Sequence, residues 1–197
     1  LKSLWETDVN DMAVAMAPDY NYNNEETLGR LGGHVSNYLN SGVIVMNLDY
    51  WRKYDIQNKV LTYILDNRDR IIYPDQDALN VILKDARMEL PIIYNVAPYL
   101  FYKNIENIPG DRYAEIKEAR ESPVIFFFFC PTKPWSLGNY ISGNELFLKY
   151  QGLSGWRHVV IQKHFFKRLV YTLFPFYRKK AWEDKTYVDG WEKYYKE

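Results

Sequence analysis

Short apolar bursts punctuate this chain, and their spacing changes along it. In "DMAVAMAPD" a continuous apolar run closes on Pro18-Asp19, which predicts a short buried strand ending in a turn. Residues 21–33 are polar and carry glycines, the pattern of a loop. Val43, Ile44, Val45 and Met46 form an unbroken apolar run, which predicts a strand covered on both faces. After Asp49 the period lengthens. Trp51, Val60, Leu61, Ile64 and Leu65 trace a helical stripe with Lys59 and Asp66 outside it.

Residues 73–85 read as a helix with Pro74 at its start, Asp75 as N-cap, and Leu79, Ile82 and Leu83 turned to a core. Another short strand is expected at residues 92–95 and a polar helix at 113–120. "SPVIFFFFCPTKPW" then supplies a run apolar enough for a buried strand, followed at once by Lys133, which cannot belong to that core. Helices are expected at 144–150 and 156–174, the second stopped by Pro175. Alternating short strands and helices argue for an α/β domain.

Composition narrows the class. With 197 residues, 47% of them hydrophobic and 25% charged, the chain can bury a substantial core and is not of disordered composition. Its formal net charge is zero, so the simplest argument for a nucleic-acid partner is missing and none is expected. The single cysteine, Cys130, cannot form an internal disulfide and reads as a small buried hydrophobe, consistent with a reducing, cytoplasmic setting. Its longest apolar run is far short of the ~18–20 residues of a bilayer-crossing helix. Leu1 leads into polar sequence without a secretory h-region and is not a methionine, so the chain is expected to begin inside a longer product.

Charge is unevenly spread. Between Trp156 and Lys180 lie Arg157, Lys163, Lys167, Arg168, Arg178, Lys179 and Lys180, with no Asp or Glu, interleaved with aromatic residues. Cations attract anionic headgroups while Trp, Tyr and Phe favour the interface, so this segment is expected to rest on a membrane surface; an ordinary amphipathic helix with solvated lysines has the same pattern.

Three stretches could carry chemistry. Asn40, Ser41 and Gly42 precede a strand, where Gly42 permits close approach and Asn40 offers both donor and acceptor groups; a plain turn into a strand accounts for the same residues. Asp75, Gln76 and Asp77 lie at a helix N-terminus, where backbone N–H groups and the dipole favour carboxylates. Lys133 sits between prolines beside Trp135, a partly preorganised ammonium suited to phosphate. His158 and His164 are six apart, on different sides of a helix, and suggest no shared metal.

Taken in order, "LNSGVIVMNLDYWRK", "YPDQDALN" and "IFFFFCPTKPW" resemble three motifs of glycosyltransferase family 8: the Asn-(Ser/Ala)-Gly segment running into Asn-leu-x-x-Trp-(Arg/Lys), the Asp-Gln-Asp-x-Leu-Asn motif, and the His-phe-x-Gly-x-x-Lys-Pro-Trp segment. "LKSLWETDVNDMAVAMAPD" is similar to the stretch that precedes them, so the resemblance spans about residues 1–135. The family comprises retaining sugar transferases, including bacterial lipopolysaccharide galactosyl- and glucosyltransferases and glycogenin.

The resemblance implies a partial GT-A fold over residues 1–155, with a helical basic and aromatic tail over 156–197. It implies a UDP-hexose donor and a glycan or lipid-linked acceptor in lipopolysaccharide or surface-polysaccharide synthesis. Asn40 and Gly42 would contact the donor sugar, Asp75 would bind its hydroxyls, and Gln76 would lie near the anomeric carbon. Lys133 and Trp135 would hold the diphosphate. The family uses Mn²⁺ or Mg²⁺, but its Asp-x-Asp motif would lie upstream of Leu1. Phe127 occupies the position of its histidine ligand, and Cys130 that of its motif glycine. A phenyl ring cannot coordinate a hard cation. Metal binding is therefore not expected here, and this chain alone is expected to be inactive, either as part of a longer enzyme or as a glycan- or membrane-binding member. The expected location is the cytoplasm, against the inner face of the cell membrane.

Overall fold

A computed structural model describes residues 1–33, 35–101, 108–129, 133–134, 144–156 and 173. Of these, residues 1–96 and 108–125 form one compact unit, and 97–101 with those from 126 onward belong to another. The tail segment 157–180, apart from Leu173, and residues 181–197 lie outside the described residues.

In the first unit a three-stranded sheet has the order β2-β1-β3. Strand β1 (Val14–Pro18) is buried at every position, as its uninterrupted apolar sequence requires. It pairs antiparallel with β2 (Leu39–Met46) and parallel with β3 (Arg87–Glu89). Pro18 ends the strand, where its missing N–H leaves no gap in the ladder.

The expected strand at residues 43–46 is present but not covered on both faces. Strand β2 is an edge among the described residues, and Val43, Ile44 and Val45 are only half-buried. On its open side it lines a groove of about 740 Å³ with Leu4, Trp5 and Val9, the first two from helix α1 (Lys2–Trp5).

Four other expectations in this unit are corrected. The supposed loop at 21–33 contains helix α2 (Glu25–Arg30), started by Asn24, whose side chain accepts from the Thr27 amide at 2.9 Å. Glu25 and Glu26 favour its first turn, and Gly32 and Gly33 follow its end at positive φ. The stripe after Asp49 is split into α3 (Leu48–Lys53) and α4 (Ile56–Asp66) by Asp55, which adopts the left-handed conformation at φ 53°. Trp51 and Val60 pack on the core through that break, together with the fully buried Ile56, whereas Leu61 and Leu65 are exposed.

The third correction concerns Asp75, which is not an N-cap. In α5 (Pro74–Ile82) Tyr73 occupies that position and Pro74 opens the helix, while Leu79 and Leu83 face the core as expected. The fourth concerns residues 92–95, where a 3₁₀ turn (Ile92–Tyr94) stands in place of a strand, after β3. Helix α6 (Tyr113–Glu121) lies where expected.

The core of this unit joins Val14, Met16 and Leu39 of the sheet to Ile56, Leu79 and Leu83 of the helical layer. Trp51 closes one end, its Nε1 donating to the Ala13 carbonyl at 3.0 Å. That arrangement holds α5 against β2, which positions the polar cluster described next.

In the second unit the phenylalanine run is not a buried strand. Phe126, Phe127, Phe128 and Phe129 are half-buried and form no strand beyond a single β-bridge at Phe126. Their rings alternate instead, Phe126 against Phe128 at 4.8 Å and Phe127 against Phe129 at 5.9 Å, with Phe101, Tyr99 and Phe147 as further aromatic partners. Helix α7 (Asn144–Leu153) follows the expected helix and extends it.

Candidate functional site

The polar cluster forms where the end of β1, a distortion of β2 and the first turn of α5 meet. Met16 pairs with Ile44, but the next residue, Ala17, pairs with Asn40. Ser41, Gly42 and Val43 therefore fall outside the ladder as a bulge, a device that re-aims side chains at the end of a sheet. The Gly42 amide folds back on the Asn40 side chain, donating to Oδ1 at 2.8 Å, which stabilises the turn locally.

Helix α5 is fastened to this bulge by Asn80. Its amide nitrogen donates to the Leu39 carbonyl at 2.7 Å and to the Gln76 carbonyl at 2.8 Å, while its oxygen accepts from the Leu39 amide at 2.8 Å and from Arg87. The first turn of α5 thus lies directly against residues 39–42. Gln76 Oε1 accepts from the Ser41 amide at 3.0 Å, and Ser41 Oγ donates to Asp75 Oδ2 at 2.7 Å.

Beneath these groups is Asp19, only 1% exposed. One of its oxygens, Oδ2, accepts from Asn40 Nδ2 at 2.8 Å and from Gln76 Nε2 at 3.1 Å; Oδ1 accepts from the Asn21 amide at 3.3 Å. Burial raises the Asp19 pKa above its ordinary value, against the opposing pull of the hydrogen bonds from Asn40, Gln76 and the Asn21 and Tyr22 backbone. Asn95 completes the floor, donating to Asn40 Oδ1 at 2.8 Å. The Oδ1 atoms of Asn21 and Asn95 are buried without a hydrogen-bond partner, so the cluster has acceptor capacity unused by the protein.

Asp77, one residue beyond Gln76, has the opposite character. Arg30 grips both its oxygens at 2.7 and 3.1 Å, Tyr38 donates at 2.5 Å, and the Ile72 and Tyr73 amides add 2.8 and 3.1 Å bonds. Burial opposes its ionisation, but these donors outweigh it and hold the pKa below the ordinary carboxylate value. Asp77 is therefore a structural anchor that ties α2 and the entry to β2 onto α5.

Of the residues singled out in the sequence, Asn40, Ser41, Gly42, Asp75 and Gln76 come together in one network, with Asn40 and Gln76 buried and Gly42 and Asp75 exposed. Lys133 belongs to the other unit, where its Nζ donates to the Phe128 carbonyl at 2.7 Å. Trp135 and Cys130 lie outside the described residues. Phe127 stacks on Phe129 and offers no lone pair. Among the described residues no three His, Cys, Asp or Glu side chains group to hold a metal ion.

Sequence reasoning missed Asp19, Asn80 and Asn95. Asp19 left one usable signal: a carboxylate just past the C-terminal end of a buried strand, where α/β sheets gather ligands.

The family model for glycosyl transferase family 8 matches residues 1–137. This chain belongs to that family. General stress protein A of Bacillus subtilis is 28% identical over 164 residues, covering 81% of this chain and 56% of that protein. The lipopolysaccharide 1,2-glucosyltransferase of Escherichia coli K12 is 27% identical over 137 residues, 68% of this chain and 40% of its own length.

Among solved structures, the galactosyltransferase LgtC in complex with donor and acceptor sugar analogs superposes with a TM-score of 0.68 at 24% identity, covering 79% of this chain and 56% of LgtC. An active-site Gln-to-Glu mutant of LgtC gives 0.67 at 25% identity. The fold is thus a partial GT-A α/β domain, and the chain spans about half the length of the family 8 relatives it matches.

Proposed function

We propose that this family 8 chain carries the sugar-binding portion of a hexosyltransferase. It would move a hexose from a UDP-hexose to a glycan or lipid-linked acceptor with retention of anomeric configuration, in bacterial lipopolysaccharide or surface-polysaccharide synthesis. One observation carries the reading: Asn40, Ser41, Gly42, Asp75 and Gln76, far apart in sequence, share one hydrogen-bonded cluster with unused buried acceptors at its floor. Such a mixture of amides, carboxylates and backbone groups suits the hydroxyl-rich surface of a sugar.

In this reading Asn40 and Gly42 contact the donor hexose and Asp75 accepts from its hydroxyls. Gln76, its carbonyl oxygen held by the Ser41 amide, lies close to the anomeric carbon, where positive charge develops as the bond to diphosphate breaks. Lys133 and Trp135 hold the diphosphate. Among the described residues one of the three Lys133 donors is committed, to Phe128, and the ammonium suits phosphate oxygens. The printed functions of the lipopolysaccharide glucosyltransferase and of LgtC support the reaction class, and the LgtC mutant supports a glutamine at the reacting centre. The basic-aromatic segment 156–180 would rest on the inner face of the cell membrane, next to a lipid-linked acceptor. No helix among the described residues is long and apolar enough to cross a membrane.

Phe127 favours a second reading, a member that binds a glycan or membrane without turnover, because the family's histidine ligand is replaced by a hydrocarbon ring. Calorimetric titration with UDP-glucose and UDP-galactose, alongside Asp75→Ala and Gln76→Ala variants, tests the first reading. Binding to the parent chain that both variants weaken is expected; binding that neither variant touches would remove the cluster from the donor site. In a chain extended upstream to include the Asp-x-Asp motif, Phe127→His separates the two readings: gain of Mn²⁺-dependent UDP-hexose turnover supports the enzyme, and no gain supports the binding module.

A further inference from the structure

We propose that Asp19 is a positioning residue that fixes which way the side-chain amides of Asn40 and Gln76 face, and through them the pattern of donors and acceptors offered to a hexose. The proposal rests on the donor-site reading of those two residues.

The argument is one of hydrogen-bond polarity. An ionised carboxylate only accepts. Because Asp19 Oδ2 lies 2.8 Å from the Asn40 nitrogen and 3.1 Å from that of Gln76, both amides must turn their NH₂ groups inward. Their carbonyl oxygens are thereby sent the other way, Gln76 Oε1 to the Ser41 amide and Asn40 Oδ1 to the Gly42 amide and Asn95. Reversing either amide would set oxygen against oxygen in a buried space. A single buried carboxylate therefore orients one group on β2 and one on α5, and the bulge between them takes its hydrogen bonds from that choice.

No arrangement of asparagine at position 19 reproduces this. Its oxygen can serve either the two side-chain amides or the Asn21 N–H, and its own NH₂ then faces a donor. The titratable or charged groups on the adjoining elements are Tyr20 and Tyr22 beyond β1, Tyr38 before β2, Asp75 and Asp77 on α5, and Arg87 and Glu89 on β3. No lysine or arginine among the described residues hydrogen-bonds Asp19, so its charge is held by dipoles alone. Protonation would turn this acceptor into a donor and release the constraint on both amides. Burial already favours that form.

The test is NMR on the full chain. The side-chain amide resonances of Asn40 and Gln76 are expected to titrate together with the Asp19 carboxyl carbon, at one midpoint above the ordinary carboxylate range. The amide of Asn80, held by Leu39 and Gln76 carbonyls, is expected to stay still through the same range. Asp19→Asn should shift both Asn40 and Gln76 resonances and weaken UDP-hexose binding about tenfold, the effect of one lost hydrogen bond to a charged group. Asn40 and Gln76 amides that ignore the Asp19 titration would overturn the proposal, and this measurement stands even if Asp19→Asn does not fold. Coupled titration in a chain that binds neither UDP-glucose nor UDP-galactose supports the orienting role and overturns the donor-site reading.

Discussion

Asp19 and Asp77 are both buried against the first turn of α5, yet their surroundings drive them in opposite directions. Asp77 meets a guanidinium, a phenol and two backbone amides, and is held ionised. Asp19 meets two side-chain amides and the Asn21 and Tyr22 backbone with no cation, and burial pushes its pKa up. A carboxylate that the fold has fully partnered serves the fold. One held by reorientable side-chain amides and backbone N–H groups without a cation, beside unused acceptors, is suited to act on what those amides bind. Gln76 and Asp77 are sequence neighbours, but the helix sends them to these two different clusters.

The sharpest way to break the contrast is Arg30→Met. It would leave the buried Asp77 carboxylate with Tyr38 and two backbone amides but no cation, and removing one partner of a buried pair costs about 3–5 kcal/mol. Urea unfolding should show that loss, and a loss under ~1 kcal/mol, the range of a surface pair, would mean that Asp77 is no anchor. Next in size is Asn80→Ala, which leaves the Leu39 N–H and C=O buried and unpaired at about 2 kcal/mol, each such group costing on the order of 1 kcal/mol or more. It should also loosen β2 from α5, visible as faster amide hydrogen exchange at Leu39 and Ser41.

The pH dependence distinguishes the two carboxylates by sign. Asp19 binds its proton more tightly folded than unfolded, so its stabilising contribution is complete below the ordinary value of 3.8 and is lost as pH rises through its higher native pKa. Asp77 contributes above 3.8, and that contribution is lost as pH falls through its lower native pKa. Relative to Asp19→Asn, the parent chain should lose stability with rising pH above 3.8; relative to Asp77→Asn it should gain stability as pH rises toward 3.8. Parallel profiles would erase the distinction. The smallest expected effect is Ser41→Ala: its partner Asp75 is exposed, so stability should change by less than about 0.5 kcal/mol, while UDP-hexose affinity falls.

Local pattern carried much of this architecture. The continuous apolar run of β1, the Pro74 start of α5 with Leu79 and Leu83 inward, and the polar helix α6 were legible because each depends on neighbours within a few residues. Helix α2 was not, since its six residues hold one large apolar side chain, Leu28, which makes no stripe, and its cues were only the Asn24 cap and the acidic first turn. The phenylalanine run failed differently: apolar content demands partners but does not say whether a strand or other aromatic rings will supply them. The phosphate-side expectation for Lys133 rests on motif alone, whereas Gln76 is also tied by hydrogen bonds to the bulge at Ser41.

By itself the amino-acid sequence determined the family, an α/β arrangement, and which residues of two motifs, Asn40 to Gly42 and Asp75 to Gln76, deserved chemical interest. Their period and order are local properties, readable without coordinates. Only the tertiary structure decided that a three-residue bulge aims one motif at the other, and that Asp19 rather than any cation underlies both. Hydrogen-bond polarity acts across space, between groups up to 57 positions apart, so no pattern of neighbours along the chain could have shown it.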